Sequence, residues 1–182
     1  EDILIRSSNI GTLMIARKIG EKDYKNFIRK TDLLNTPKLQ LEEIGSPLNF
    51  AWDKCKLETI SYGHGIAITP LQATATYAAI VNGGKIVEPS LIKKVKNQNN
   101  KLIISTETSK TINKILRKVV TEKEGTASLA NIYGYDVGGK TGTSQKYGIK
   151  NENLNTFISI FPAKNPKYAL LVMLENPQVA SD

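Results

Sequence analysis

Three extended segments close the chain, and they limit its architecture more than any other feature. Tyr135 to Gln145, Thr156 to Phe161 and Tyr168 to Leu174 each read as a strand, the last an apolar run of Val, Leu and Met of the kind that fills a central strand. The links are short and turn-forming, as in Pro162-Ala163-Lys164-Asn165-Pro166. A parallel crossover needs a dozen or more residues, so antiparallel hairpins are expected.

Helical patterns precede these strands. Ser8 or Asn9 can cap a helix running to about Ile19, where Gly20 supplies the left-handed stop. Ile10, Leu13, Met14, Ile15, Ala16 and Ile19 leave that helix little polar circumference, which predicts burial within a domain. A more amphipathic helix follows from Glu21 to Arg29, with Tyr24, Phe27 and Ile28 at helical spacing. Residues 31 to 66, punctuated by Pro37, Gly45, Pro47, Gly63 and Gly65, read as irregular. Thr69-Pro70 then opens a helix with a capping hydroxyl and a proline whose missing N–H costs nothing there, and Asn82-Gly83-Gly84 ends it. Ile86 to Val95 reads as an extended edge segment, and Glu107 to Thr121 as a solvated helix with Ile112, Ile115, Leu116 and Val119 facing inward. The fold class is α+β, an antiparallel sheet packed against helices.

Composition narrows the function classes. With 40% hydrophobic and 23% charged residues over 182 positions, the chain fits one globular domain. No apolar run approaches the ~20 residues that span a bilayer, and the first residues lack a signal-peptide layout. The Ser7-Ser8-Asn9 helix start arrives with hardly any leader, which reads as an internal fragment. The formal charge of +8 could serve a polyanion, but the lysines of Lys93-Lys94-Val95-Lys96-Asn97-Gln98 alternate with polar residues and not with aromatic stacking platforms, so no nucleic-acid partner is expected. Cys55 is the single cysteine and His64 the single histidine, which excludes an internal disulfide and a clustered Cys/His metal site. No cofactor is expected. Cys55 reads as a structural thiol, His64 as a variable position in a Gly-His-Gly loop, and Trp52 as a packing residue.

Lys140-Thr141-Gly142-Thr143 is the most chemically loaded stretch: a cation, two hydroxyls and a glycine that admits close backbone approach. Gly134 to Thr141 satisfies the phosphate-loop pattern G-x-x-x-x-G-K-[ST] letter for letter, which would make the protein an NTPase. That chemistry needs a buried strand before the loop and a helix after it, because the helix N-terminus and successive N–H groups hold the phosphates. Neither neighbour is present in the pattern, and the reading is set aside. The same residues match the K-T-G element of serine acyl-transferases of the penicillin-binding class. Ser7-Ser8-Asn9 matches the S-x-N element of that class, with Ser7 and Asn9 spaced so that both can reach one cleft from a helix-start turn.

The text between these elements strengthens the match. Ser61-Tyr62-Gly63-His64-Gly65-Ile66-Ala67-Ile68-Thr69-Pro70-Leu71-Gln72, Tyr77 to Gly84, Glu88-Pro89, the Glu124-Gly125-Thr126-Ala127 turn and the closing Phe161-Pro162-Ala163 and Asn176-Pro177 pairs all resemble class B penicillin-binding proteins, of the cell-division or elongation type. The resemblance spans essentially all of residues 1–182 and implies the C-terminal portion of one transpeptidase domain. It implies a peptidoglycan D,D-transpeptidase, membrane-anchored with its catalytic domain in the periplasm. Its partners would be stem peptides, β-lactams, other cell-wall synthesis proteins and the remaining N-terminal part of its own domain. By the same resemblance Ser7 would relay a proton, Asn9 would hold the donor's side-chain amide and Lys140 would raise the positive potential of the cleft. Thr141 and Thr143 would bind substrate carboxylate and amide, the Thr143 N–H giving half of an oxyanion hole, and Gly142 would keep the strand edge open.

One departure stands out. The family's nucleophile is the serine of an S-x-x-K element N-terminal to S-x-N, and no such stretch precedes Ser7. Ser90-Leu-Ile-Lys93 has the right letters in the wrong place, and an activated serine needs a base fixed beside it. The nucleophile is therefore expected upstream, with this chain inactive alone. The competing readings are an inert penicillin-recognising or scaffold module and the NTPase. A β-lactamase is disfavoured, because no separate deacylating carboxylate can be picked out, although Glu42 and Glu43 are left open by the sequence.

Overall fold

The computed structural model describes residues 1–36, 39–41, 52, 56–93, 101–145 and 152–178. The expectations placed on Pro37, Glu42, Glu43, Gly45, Pro47, Cys55 and the Lys94–Gln98 run lie outside them.

The closing segments form one antiparallel sheet in the order β1-β2-β3, with β1 at Gly138–Gln145, β2 at Asn153–Phe161 and β3 at Tyr168–Glu175. Lys140 stands opposite Ile158, and Ile158 opposite Leu171. Among the described residues the central strand is β2, and the Tyr168 run, expected at the centre, lies beside it as β3. Leu170, Val172 and Leu174 on β3 are exposed. An apolar run reports a demand for burial, whereas rank within a sheet is set by long-range pairing that no local pattern encodes. β1 begins later than expected, since Tyr135 lies in a turn between Gly134 and Asp136, both at positive φ. β2 begins earlier, because the Asn153 N–H donates to Asn176 Oδ1 at 3.0 Å and the Asn176 N–H returns to the Asn153 carbonyl at 2.9 Å, extending the β2–β3 ladder by side-chain capping.

Six α-helices accompany the sheet among the described residues: α1 Asp2–Ile5, α2 Asn9–Ile19, α3 Glu21–Lys30, α4 Lys56–Ile60, α5 Pro70–Val81 and α6 Thr106–Thr121. Ser8, not Asn9, caps α2, its Oγ accepting from the Gly11 N–H at 3.1 Å. The burial expected of α2 is not met: Ala16 is buried, but Ile10 is 74% and Met14 62% exposed. An all-round apolar helix needs neighbours on every side, and α1, α3 and α4 reach only part of its circumference. Helix α4 interrupts the stretch expected to be irregular and ends in a turn where Gly63 and Gly65 adopt positive φ and the His64 N–H donates to the Thr59 carbonyl. Trp52 carries the Lys25 ammonium 5.0 Å from its ring centroid, a cation–π contact.

The α5 start follows its sequence closely. Thr69 and Gln72 form a reciprocal capping box, and the Gln72 amide also reaches the Leu33 and Asn35 carbonyls, tying the preceding loop to the helix. Thr69→Ala removes one half of the box and is expected to cost about 1 kcal/mol in denaturant unfolding; an unchanged midpoint would show that the cap is not needed. The Ile86 to Val95 segment forms no strand over its described part. Lys85 bridges Leu102, Ile86 is buried, and the chain turns at Ser90, whose Oγ accepts from the Ile92 N–H. The pattern there reflects one buried isoleucine and not a ladder.

Helix α6 organises the core. One side packs Leu116 against Val81, Ile160 and Ala163, the other packs Ile115, Val119 and Val120 against Ile5 and Ala127. β1 lies so close to α6 that a Cβ on Gly138 would sit 3.1 Å from the Arg117 nitrogen. At Gly139 the missing side chain is replaced by the Phe157 ring, which would meet a Cβ at 2.6 Å and reaches across to the Ile5–Val119 cluster. Gly139→Ala is therefore expected to lower stability by about 1–3 kcal/mol through overpacking, read as a shifted unfolding midpoint; no shift would mean that Phe157 has room to move.

Candidate active site

The chain's first turn and its β1 strand meet on α6. Ile5 is 2% exposed and anchored against Val119 and Val120, which fixes the end of α1. The Glu1–Lys118 ion pair at 2.5 Å and the exposed Arg6–Glu124 pair at 3.7 Å bind the same segment to α6 and to the turn that follows it. Between α1 and α2 the backbone reverses through Ser7, whose φ of 54° is uncommon for a residue with a Cβ. The Ser7 N–H donates to the Leu4 carbonyl and the Ser8 N–H to the Ile3 carbonyl, so the turn is closed by its own backbone.

That turn aims the Ser7 hydroxyl at β1. Lys140 Nζ donates to Ser7 Oγ at 2.7 Å across 133 residues of sequence, and to the Thr141 carbonyl at 3.0 Å. Burial pushes the Lys140 ammonium below the ordinary lysine range, because the lost hydration disfavours the charged form. Removing the proton between the folded and unfolded pKa values relieves a cost that only the folded state bears, so this group's effect on stability becomes less unfavourable as pH rises through that window.

The remaining sequence-derived residues are distributed around this contact. Asn9 opens α2, exposed, two residues beyond Ser7. Thr141 Oγ1 donates to Thr126 Oγ1 at 2.8 Å. Thr143 is exposed on β1 and, with Thr126, Thr141, Gly142, Asn155 and Thr156, lines a groove of about 420 Å³. Strand alternation turns Lys140 to one face and Thr141 and Thr143 to the other, so what they share is the β1 edge away from β2. Gly142 has an internal reason to lack a side chain: a Cβ would lie 2.8 Å from Thr156 Oγ1, which donates to the Gly142 carbonyl at 3.1 Å. Thr126 was missed as a site candidate by sequence reasoning, although its Gly-Thr-Ala turn was noted. A hydroxyl directly after a turn glycine is the signal the sequence offers.

The phosphate-loop alternative fails on this geometry. Lys140 and Thr141 lie inside strand β1, and Gly142 to Gln145 continue as strand where a phosphate site requires a helix N-terminus.

Comparison with known proteins decides the family. The family model of the penicillin-binding protein transpeptidase domain matches residues 1–182. The chain belongs to the penicillin-binding protein transpeptidase family. This chain is 32% identical to the probable peptidoglycan D,D-transpeptidase FtsI of Caulobacter vibrioides, over 97% of its own length and 32% of that protein's. It is also 32% identical to penicillin-binding protein PbpB of Mycobacterium tuberculosis, over 97% of its length and 30% of the relative's. It thus spans about a third of the length of the curated relatives it matches. Among solved structures, penicillin-binding protein 3 of M. tuberculosis in complex with aztreonam superposes with a TM-score of 0.88 at 29% identity, covering 98% of this chain and 45% of that one. The transpeptidase domain of Burkholderia pseudomallei penicillin-binding protein 3 gives 0.86 at 26% identity, covering 96% and 55%. The α+β class and the antiparallel sheet with packed helices are those of this transpeptidase fold.

Proposed function

We propose that the intact protein is a serine-type peptidoglycan D,D-transpeptidase and that residues 1–182 form the C-terminal portion of its transpeptidase domain. The observation that carries this reading is the 2.7 Å contact between Lys140 and Ser7, one residue from each of the two family elements. The nucleophile belongs to sequence outside residues 1–182, as do a membrane anchor and the contacts with other cell-wall synthesis proteins. Among the described residues no helix is long and apolar enough to cross a membrane. The catalytic domain would work on the periplasmic side.

The chemistry is acyl transfer. The upstream serine oxygen attacks the carbonyl between the two D-alanines of a stem peptide, and its proton passes to the neighbouring lysine of S-x-x-K. Ser7 relays a proton onward to the leaving amine, which departs as D-alanine. A second strand's amine then attacks the ester, loses a proton back through the same groups and restores the serine. Lys140 holds Ser7 as a hydrogen-bond acceptor and keeps the cleft positive, while Thr141 and Thr143 receive the substrate's terminal carboxylate and amide. The Thr143 N–H supplies half of an oxyanion hole, Asn9 holds the donor's side-chain amide, and Gly142 lets the donor pair along the strand edge. β-Lactams present the same carboxylate and acyl carbonyl and would stop at the ester.

The test is labelling of the intact protein with a fluorescent penicillin, followed by mass mapping of the adduct and an assay of D-alanine release from a pentapeptide. A mapped serine upstream of Glu1 together with D-alanine release is the expected result. Binding without turnover would instead identify an inert penicillin-recognising module, and absence of labelling would end the reading. Residues 1–182 alone are expected to take no label; a covalent adduct on them would refute the upstream nucleophile. The acylation rate of the intact protein should also fall on the alkaline side with an apparent pKa below the ordinary lysine value of 10.5, because burial lowers that of Lys140. A rate that holds through pH 10.5 would remove the ammonium from the step.

A further inference from the structure

We infer that Thr126 is a further positioning residue of the acyl-donor site, setting the proton direction of the Thr141 hydroxyl for the substrate's terminal carboxylate; this rests on the transpeptidase reading above. Thr126 stands in a turn with almost no freedom. A Cβ on Gly125 would lie 2.2 Å from the Val119 carbonyl oxygen, so only glycine lets the chain pass the end of α6 this closely. The Gly125 N–H donates to the Glu122 carbonyl at 2.9 Å and the Ala127 N–H to the Val119 carbonyl at 3.2 Å, with Ala127 only 6% exposed in the core. The residue between them is held in place on both sides, yet its own side chain is exposed and packs into no core cluster. Its hydroxyl meets one side chain, that of Thr141, at 2.8 Å. Both residues line the groove of about 420 Å³, which crosses the sheet from the Thr126 turn over β1 and β2 to Val172 and Leu174 on β3.

The direction of that bond matters. A hydroxyl carries one proton, and here Thr141 gives its proton to Thr126. A carboxylate only accepts, so when one reaches Thr141 that proton must turn outward and Thr126 must donate its own into the vacated lone pair. The two hydroxyls then form a chain ending on the anion, and each bond polarises the next. A neutral ester or amide at the same place gains much less, because the charge-assisted bond is the strong one. Thr126 thereby contributes to preference for a free carboxylate over a blocked one, without touching the reacting carbonyl.

The experiment compares second-order acylation rates of the intact protein by benzylpenicillin and by benzylpenicillin methyl ester. T126V keeps the shape and loses the hydroxyl; it is expected to lower the rate with the free acid about tenfold and leave the ester within about twofold. T126A, which only shortens an exposed side chain, is expected to behave as T126V does, and T126S to restore the wild-type ratio of the two rates. Equal losses on acid and ester would mean a merely structural threonine, and unchanged rates with the acid would mean that Thr141 needs no partner; either overturns the inference. A wild-type protein that is not acylated at all overturns the transpeptidase reading itself, and is seen before any variant is compared.

Discussion

Replacing Lys140 by alanine in the intact protein is expected to slow acylation by a fluorescent penicillin by about 10²–10³-fold, the usual consequence of deleting one preorganised charge or donor at a developing anion. The physical case is direct. Lys140 is the cation that reaches Ser7, at 2.7 Å, and it does so from a strand whose position is set by α6. Alanine removes the donor that fixes the Ser7 hydroxyl, and on the proposed mechanism it also removes the positive potential for the substrate carboxylate, so both the proton relay and the binding step would suffer. Lys140→Arg keeps the charge but replaces a compact ammonium with a planar fork, and an intermediate rate is expected. Unfolding midpoints close to wild type in both variants would show that the loss is local. An unchanged labelling rate in Lys140→Ala would take Lys140 out of the mechanism.

The second large effect is expected at Ile160, which has no exposed surface and fills the space between α5, α6 and β2 with Val81, Leu116 and Ala163. Ile160→Ala removes buried methyl groups and leaves a cavity, costing about 2–5 kcal/mol, while Ile160→Val, one methylene smaller, should cost about 0.5–1.5 kcal/mol. Denaturant unfolding of the intact protein reads both. If the two midpoints coincided with wild type, the α6–sheet interface would not be the structural core. Because Gly138 pairs with Ile160 in the ladder, the alanine variant is also expected to loosen β1 and reduce acylation, though less than the loss of Lys140 itself.

What was legible in the sequence was mostly local in origin. A cap at Ser8 or Asn9, the Thr69-Pro70 start, the Gly20 stop and the two hairpins all follow from short-range rules, in which each signal residue acts on backbone a few positions away, whereas the Gln72 half of the capping box came only from the structure. The readings that failed needed knowledge of neighbours. The exposed stripe on α2 and the outer place of β3 look the same in sequence as buried counterparts, because hydrophobicity states a preference and not a partner. Helix α4, only Lys56–Ile60, was too short for a periodic pattern to reveal.

The site divides along the same line. The sequence by itself determined the candidate residues, a lysine beside hydroxyls and glycine and a serine and asparagine at a helix start, with a single cysteine and a single histidine; acyl-transfer chemistry followed from the resemblance of the surrounding segments to the penicillin-binding class. Only the tertiary structure decided that Ser7 and Lys140 touch, that Thr141 leans on Thr126, and that Gly142 makes space for Thr156. These contacts join positions 14 to 133 residues apart: Ser7 meets Lys140 and Thr126 meets Thr141 because α6 packs against α1 and β1 at once, and Gly142 meets Thr156 because β1 pairs with β2, an arrangement of the whole core that no short stretch of sequence contains.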